Sequence, residues 1–204
     1  ELGMIHPHTE LRLVNETVGY GVFATEFIPE GTITYIRDSL ELEITPEAFE
    51  KCVPLLQEKI ERYSYIDQRG VRVVSWDLAK YVNHCCQCNT MSTGYGFEIA
   101  IRDIFPGEQI TDEYGIFNMT ERISLLCDKP GCRGSVSADD FDAYYPKWDE
   151  TLKQSLAKLK QVQQPLMPLM EEETVEQLES YFSNPANYLS VYSLKIEKET
   201  AKVR

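Results

Sequence analysis

"YVNHCCQCNT", residues 81–90, gathers three cysteines, a histidine and two asparagines into ten positions. Two further cysteines follow in "CDKPGC" (127–132), and the sixth, Cys52, stands apart upstream. Six cysteines in 204 residues is far below the density of a disulfide scaffold. Cys85 and Cys86 are adjacent, and adjacent cysteines seldom bridge, because a disulfide needs a set separation of its Cα atoms. No charged-apolar-small leader opens the sequence, so an intracellular protein, nuclear or cytoplasmic, is expected, with reduced thiols that hold a metal rather than disulfides. The chain has three histidines, and His6 and His8 sit near one end, which argues against a multi-histidine centre.

The charge is strongly negative, −13 overall. It is concentrated in residues 1–145, which carry 12 Lys and Arg against 24 Asp and Glu. An acidic body repels phosphate backbones, which disfavours direct nucleic-acid binding, and it attracts Lys- and Arg-rich partners. No run of about 18 apolar residues marks a membrane span.

Short segments rich in β-branched and aromatic residues read as strands: 11–14, 21–25, 32–36, 71–75 and 97–101. "IPEG" (28–31) and "FPGE" (105–108) read as turns. Residues 45–63 carry a helix start, with Thr45 as N-cap and Pro46 in the first turn, and Phe49, Val53, Leu56 and Ile60 at helical spacing; Pro54 predicts a break. Beyond about residue 145 the pattern becomes helical, over 148–162, 171–182 and 184–203, interrupted at "PLMP" (165–168).

Three segments then fall into order. "VGYGVFAT" (18–25) is a G-x-G followed by a strand; "KYVNHCCQCN" (80–89) carries the Asn-His pair; "GEQITDEYG" (107–115) ends on a tyrosine. Together with "CDKPGCRG" (127–134), this order and spacing resemble the SET-domain protein lysine methyltransferases over roughly residues 10–135. The resemblance implies an α+β, β-rich fold of short strands in small sheets, with a knotted C-terminal segment and a zinc-bound post-SET-like tail. We divide the chain into residues 1–135, a SET domain with the inserted helix 45–63 and the cysteine-rich tail 125–135, and residues 136–204, a helical C-terminal extension.

Methyl transfer from S-adenosylmethionine to an amine is an in-line displacement that needs positioning and exclusion of water more than covalent machinery. By resemblance, Gly19, Tyr20 and Gly21 let the backbone approach the cofactor, Asn83 meets its amino-acid end, and His84 its adenine side. Tyr114 is the implied catalytic residue, its hydroxyl orienting the amine. Tyr63 and Tyr65 are candidates for the walls of a lysine channel, where aromatic faces suit an ammonium. Asp112 stands two residues before the tyrosine, where the family often has Phe or Tyr that limits how many methyl groups fit.

In zinc-bearing members, one cysteine of the Asn-His segment joins three in the tail. Here that position is Cys86, the tail offers Cys127 and Cys132, and Leu125 stands where a further tail cysteine would be. Cys88, two residues from Cys86, replaces the missing ligand in our reading, which gives one structural Zn²⁺ on Cys86, Cys88, Cys127 and Cys132. Free cysteines are the alternative; Cys85 and Cys52 are read as spare buried thiols. The expected function is S-adenosylmethionine-dependent lysine N-methylation of a basic protein segment such as a histone tail. Its competitors are a catalytically inactive zinc-stapled adaptor that binds protein partners and a thiol redox protein, which would need a low-pKa thiolate.

Overall fold

The computed structural model describes residues 3–125 and 129–196. β1 (Thr9–Asn15) and β2 (Gly19–Ala24) form an antiparallel hairpin. Its turn is built by Asn15, whose Oδ1 accepts the Thr17 and Val18 N–H groups, and by Gly19, whose φ of 84° favours glycine. β3 (Ile33–Ile36) is buried at every position and begins the central sheet.

β4 (Leu42–Ile44) leads into α1 (Pro46–Glu50), capped by the Thr45 hydroxyl, which accepts the Ala48 N–H at 3.2 Å. Pro54 opens a second helix, α2 (Pro54–Tyr63), so the single helix expected over 45–63 is two, separated at residues 51–53. The break spoils the apolar stripe: Ile60 is buried, whereas Val53 and Leu56 are 65% and 48% exposed. Cys52 lies in the connecting turn and is half-buried, where a buried thiol was expected.

β5 (Tyr65–Ile66) and β6 (Arg72–Val74) join β4 in a three-stranded antiparallel sheet. A 3-10 turn, Leu78–Tyr81, then carries the chain into β7 (Asn83–His84). Asp77 anchors that turn: one carboxylate oxygen accepts the Ala79 N–H and the other accepts those of Met4 and Ile5. β8 (Thr90–Ser92) and β9 (Phe97–Ala100) complete the central sheet in the order β3-β9-β8. β10 (Thr111–Asp112) pairs parallel with β7, Asn83 opposite Thr111 and His84 opposite Asp112. This pairing sets the Asn-His and Asp-Glu-Tyr segments side by side although they are about thirty residues apart in sequence. β11 (Ile123–Ser124) and β12 (Ser135–Val136) pair antiparallel and close the loop that holds the cysteine-rich tail.

α3 (Asp139–Leu156) starts nine residues before the periodic stretch at 148, with Asp139, Asp140 and Asp142 in its first turn, where acids complement the helix dipole. α4 (Glu172–Ser183) matches its expected span. The described part of 184–203 is not the expected helix. It forms 3-10 turns at Pro185–Asn187 and Val191–Leu194. Buried Asp149 holds the chain there, accepting from Tyr188 Oη (2.8 Å), Ser190 Oγ (2.5 Å) and the Val191 N–H (2.9 Å). These side-chain bonds outcompete a helical ladder that Pro185 already interrupts.

One buried cluster takes Ile33, Phe97 and Ile99 from the central sheet and Phe141, Trp148, Leu152, Leu166, Leu178 and Val191 from the C-terminal third. Close backbone approach supports this packing. A Cβ on Gly31, whose φ is 91°, would lie 2.9 Å from the Lys158 carbonyl carbon. Among the described residues no helix is long and apolar enough to cross a membrane.

Candidate active site

A cavity of about 560 Å³ opens between the β1–β2 hairpin, α2, the β7–β10 pair and the segment after Tyr114. Its lining includes Tyr20, Tyr63, Tyr65, Asn83, Asp112 and Tyr114, six of the residues singled out from four separate stretches of sequence. Asn83 Nδ2 donates to the Tyr20 carbonyl at 3.0 Å and so fastens β7 to the hairpin. Gly21 makes that approach possible: a Cβ there would lie 3.0 Å from Asn83 Nδ2, 2.8 Å from Val14 Cγ2 and 2.5 Å from Gln109 Nε2. Gly19 and Gly21 shape this wall without lining the cavity themselves.

Tyr114 Oη donates to the Val82 carbonyl at 2.6 Å, which fixes the phenol over the Asn-His segment. Burial, reinforced by Asp112 and Glu98, raises its pKa, so it remains a neutral hydrogen-bonding group. Its ring lies 5.5 Å from Phe117, which stacks at 5.2 Å on Tyr65. Tyr63 and Tyr20 pack edge-on against Tyr81 at 5.5 and 6.2 Å. The result is an aromatic sleeve around the cavity.

His84 does not line the cavity. Its ring is turned inward, with Nδ1 3.1 Å from both the Tyr114 N–H and the Asp112 carbonyl. An amide N–H can only donate, so we assign Nδ1 as the acceptor and put the ring proton on Nε2, which points at Cys86 Sγ at 3.4 Å. The Asp112 carbonyl accepts the Cys85 N–H instead, at 3.3 Å. Burial, and then the nearby Arg133 guanidinium, lower the His84 pKa to about 4, so the imidazole is neutral. His84 is a clamp between the two motifs.

The tail docks through Arg133. Its guanidinium donates to Glu113 Oε1 at 2.5 Å, lies 3.4 Å from Asp140 Oδ2 and sits 4.9 Å over the Tyr144 ring. Burial nevertheless holds the Glu113 carboxyl above its usual range, against the opposing pull of Arg133.

The cysteines divide. Cys86 and Cys132 bring their sulfurs to 3.9 Å, close to the edge of a tetrahedral thiolate site with zinc–sulfur bonds of about 2.3 Å. Cys88 is 8% exposed and belongs to the hydrophobic core, where burial and the neighbouring Asp112 and Glu113 push its thiol well above the usual range. Cys127 lies outside the described residues. Among the described residues no three His, Cys, Asp or Glu side chains are grouped to hold a metal ion, so the structure does not gather Cys86, Cys88 and Cys132 as the expected Cys₄ site requires.

Several lining residues were not anticipated. Tyr81 adjoins the Asn-His motif, and Phe117 follows Tyr114 by three, so proximity to the motifs could have flagged both. Glu98 carries no such signal. It lies at the cavity wall, hydrogen-bonded to Asp112, and burial pushes its pKa up to about 7. Asp112, buried and next to Glu98, is pushed well above the carboxylate range.

The family model described as "SET domain" matches residues 19–115. The chain is 31% identical over 133 residues to "Variant-silencing SET domain-containing protein" of Plasmodium falciparum (isolate 3D7), covering 57% of this chain and 5% of that one. It is 27% identical over 150 residues to "Histone H3-lysine(4) N-trimethyltransferase ATX1" of Arabidopsis thaliana, covering 63% and 13%. The chain thus spans a small part of the length of either relative. A crystal structure of a Plasmodium falciparum protein, 18% identical, superimposes with a TM-score of 0.39 over 54% of this chain and 95% of that chain. The SET model runs from the glycine hairpin to the residue after Tyr114, so residues 19–115 of this chain are similar to a SET domain.

Proposed function

We propose that this chain is an S-adenosylmethionine-dependent protein-lysine N-methyltransferase that acts on basic protein segments, histone tails among them. The observation that carries the reading is convergence: Tyr20, Asn83, Asp112 and Tyr114, from three separated segments, line one cavity sleeved by Tyr63, Tyr65 and Tyr81. The cavity lies in the range of small-molecule sites and combines aromatic walls with polar and charged groups. The close approach at Gly21 leaves backbone and the Asn83 amide in one wall, as a cradle for a cofactor's polar end requires.

When bound, the cofactor supplies an electrophilic methyl group. The protein's part is geometric. Val18, Tyr20 and Asn83 offer backbone and amide groups to the cofactor's amino-acid end. Tyr114, anchored on the Val82 carbonyl, presents a neutral phenol that orients the amine and stabilises charge through its dipole. Tyr63, Tyr65 and Phe117 exclude water and favour a cationic alkyl chain. The excess of acids in residues 1–145 favours encounter with basic segments.

Calorimetry with S-adenosylhomocysteine tests the reading. Saturable one-to-one binding that Asn83→Ala weakens about tenfold or more is expected, since a polar group then loses its partner at a cost of ~1–3 kcal/mol. Absence of binding by the wild-type protein would favour the adaptor.

A further inference from the structure

Glu98 sits in the middle of β9, between Phe97 and Ile99, both of which are buried in the core. Strand alternation turns it to the opposite side, and that side is the cavity. It also borders a second, smaller cavity of about 70 Å³, together with Tyr35, Tyr65 and Phe117, so it stands where the two spaces meet. β10 delivers Asp112 to the same spot, and the two carboxyl groups are hydrogen-bonded to each other. Ser92 Oγ donates to Asp112 Oδ2 at 3.4 Å, and the Glu113 N–H donates to Oδ1 at 2.8 Å.

Among the described residues, neither carboxyl is ion-paired with a lysine or arginine. The titratable groups that face the pair are Glu41, Asp77, Cys88, Glu113, Tyr65 and Tyr114, and none is cationic; Arg62, Arg72 and Lys80 line other parts of the cavity and make no ion pair with either carboxyl. Two adjoining carboxyls in such surroundings share a proton and keep about one negative charge between them. A charge of that kind, beside a phenol and aromatic walls, has no ion-pair partner among the described residues and favours a cationic group brought in by a ligand.

We propose that Glu98, hydrogen-bonded by Asp112, is the seat of the substrate's primary ammonium and the first acceptor of its proton. This rests on the methyltransferase reading and adds to it a residue that selects the cationic end of the lysine. The ammonium enters against the ionised Glu98. In a dry cavity a neutral pair is favoured over an ion pair, so one N–H proton passes to a Glu98 carboxylate oxygen. The electron pair of that N–H bond stays on nitrogen as the lone pair, which would bond the donor's methyl carbon as the carbon–sulfur bond breaks and its electron pair leaves on the sulfur of the departing thioether. Both carboxyls are protonated at that stage, and the extra proton leaves to solvent after release of product.

The test uses the full chain with S-adenosylhomocysteine present, and n-butylammonium chloride against 1-butanol as probes, titrated by NMR. Wild-type protein should bind butylammonium about tenfold or more tightly than butanol, because one partner is charged. Glu98→Gln should reduce that preference to about twofold or less, and Glu98→Asp should restore part of it. In wild-type protein alone the preference should grow from pH 6 to pH 8 as Glu98 ionises, while butanol binding stays flat, so the idea remains testable if a variant misfolds. No preference in the wild type, a preference indifferent to pH, or an unchanged preference in folded Glu98→Gln would each overturn it. Calorimetry with S-adenosylhomocysteine on the same samples separates the two claims: its failure would remove the methyltransferase reading and leave the ammonium preference to stand or fall by its own titration.

Discussion

Gly21→Ala isolates the contact on which the cofactor wall depends. Gly21 does not have a positive φ, so its backbone accepts alanine; the obstacle is space. The new methyl would lie 2.5 Å from Gln109 Nε2, which is the free end of a flexible side chain and can swing away. It would also lie 2.8 Å from Val14 Cγ2, a β-branched side chain with little rotamer freedom, and 3.0 Å from Asn83 Nδ2, which is tied to the Tyr20 carbonyl. Relieving both costs about 1–3 kcal/mol of overpacking strain. Losing the Asn83–Tyr20 bond adds about 1 kcal/mol. We therefore expect a loss of about 2–4 kcal/mol, seen as a drop in Tm of about 4–16 °C for a chain of this size. Affinity for S-adenosylhomocysteine should fall about tenfold to a hundredfold, because Asn83 no longer points into the cavity. Adding Val14→Ala should recover stability, since it removes one clash, without recovering binding, since Asn83 remains displaced. Wild-type affinity and stability in Gly21→Ala would refute the reasoning, and so would joint recovery of both in the double variant.

Asp149→Ala leaves the Tyr188 hydroxyl and the buried Val191 N–H without their acceptor, and should cost about 2–4 kcal/mol in chemical denaturation, with Asp149→Asn falling between it and wild type. His6 is buried and its pKa is lowered to about 4, chiefly by burial and secondarily by His8. The unfolded chain, with an ordinary value near 6.5, then binds the proton first, so the His6 contribution is fully present above about pH 6.5 and is lost as the pH falls toward 4. His6→Asn, which keeps an acceptor for the His8 N–H, should remove up to about 3 kcal/mol of that acid sensitivity in paired denaturation curves at pH 7 and pH 4.5. Cys88→Ala should lower stability by about 1 kcal/mol and leave zinc content by elemental analysis unchanged from wild type, as befits a core thiol. Loss of one equivalent of zinc in that variant would restore the Cys₄ arrangement.

Much of the fold was legible because its local signals are strong and agree with the tertiary structure. The five expected strands fall on β1, β2, β3, β6 and β9, and Pro54 both announced and caused the helix break. The short strands β7 and β10 were not legible as strands, because two-residue pairings are set by their partners and not by propensity. Of the residues that the motifs single out, Asn83, Tyr114 and Tyr20 line one cavity. A motif gives a residue type and no direction. His84 turns its ring toward Cys86, and Cys88, two positions from a candidate ligand, is drawn into the core. Glu98 in "FEIAI" looks like the solvent side of an alternating strand, and nothing local distinguishes solvent from an enclosed cavity. The end of the chain read as helical on composition, and the hydrogen bonds to Asp149, forty residues away, decide otherwise.

Transfer of labelled methyl groups from S-adenosylmethionine to recombinant core histones, followed by mass spectrometry of the modified residues, tests the central claim most directly. Wild-type protein should label lysine side chains. Tyr114→Phe, which removes the hydroxyl now held by the Val82 carbonyl, should keep cofactor affinity within about twofold and lose about a hundredfold or more in turnover. Labelling by Tyr114→Phe at the wild-type rate, or no lysine labelling by wild-type protein, would contradict the account.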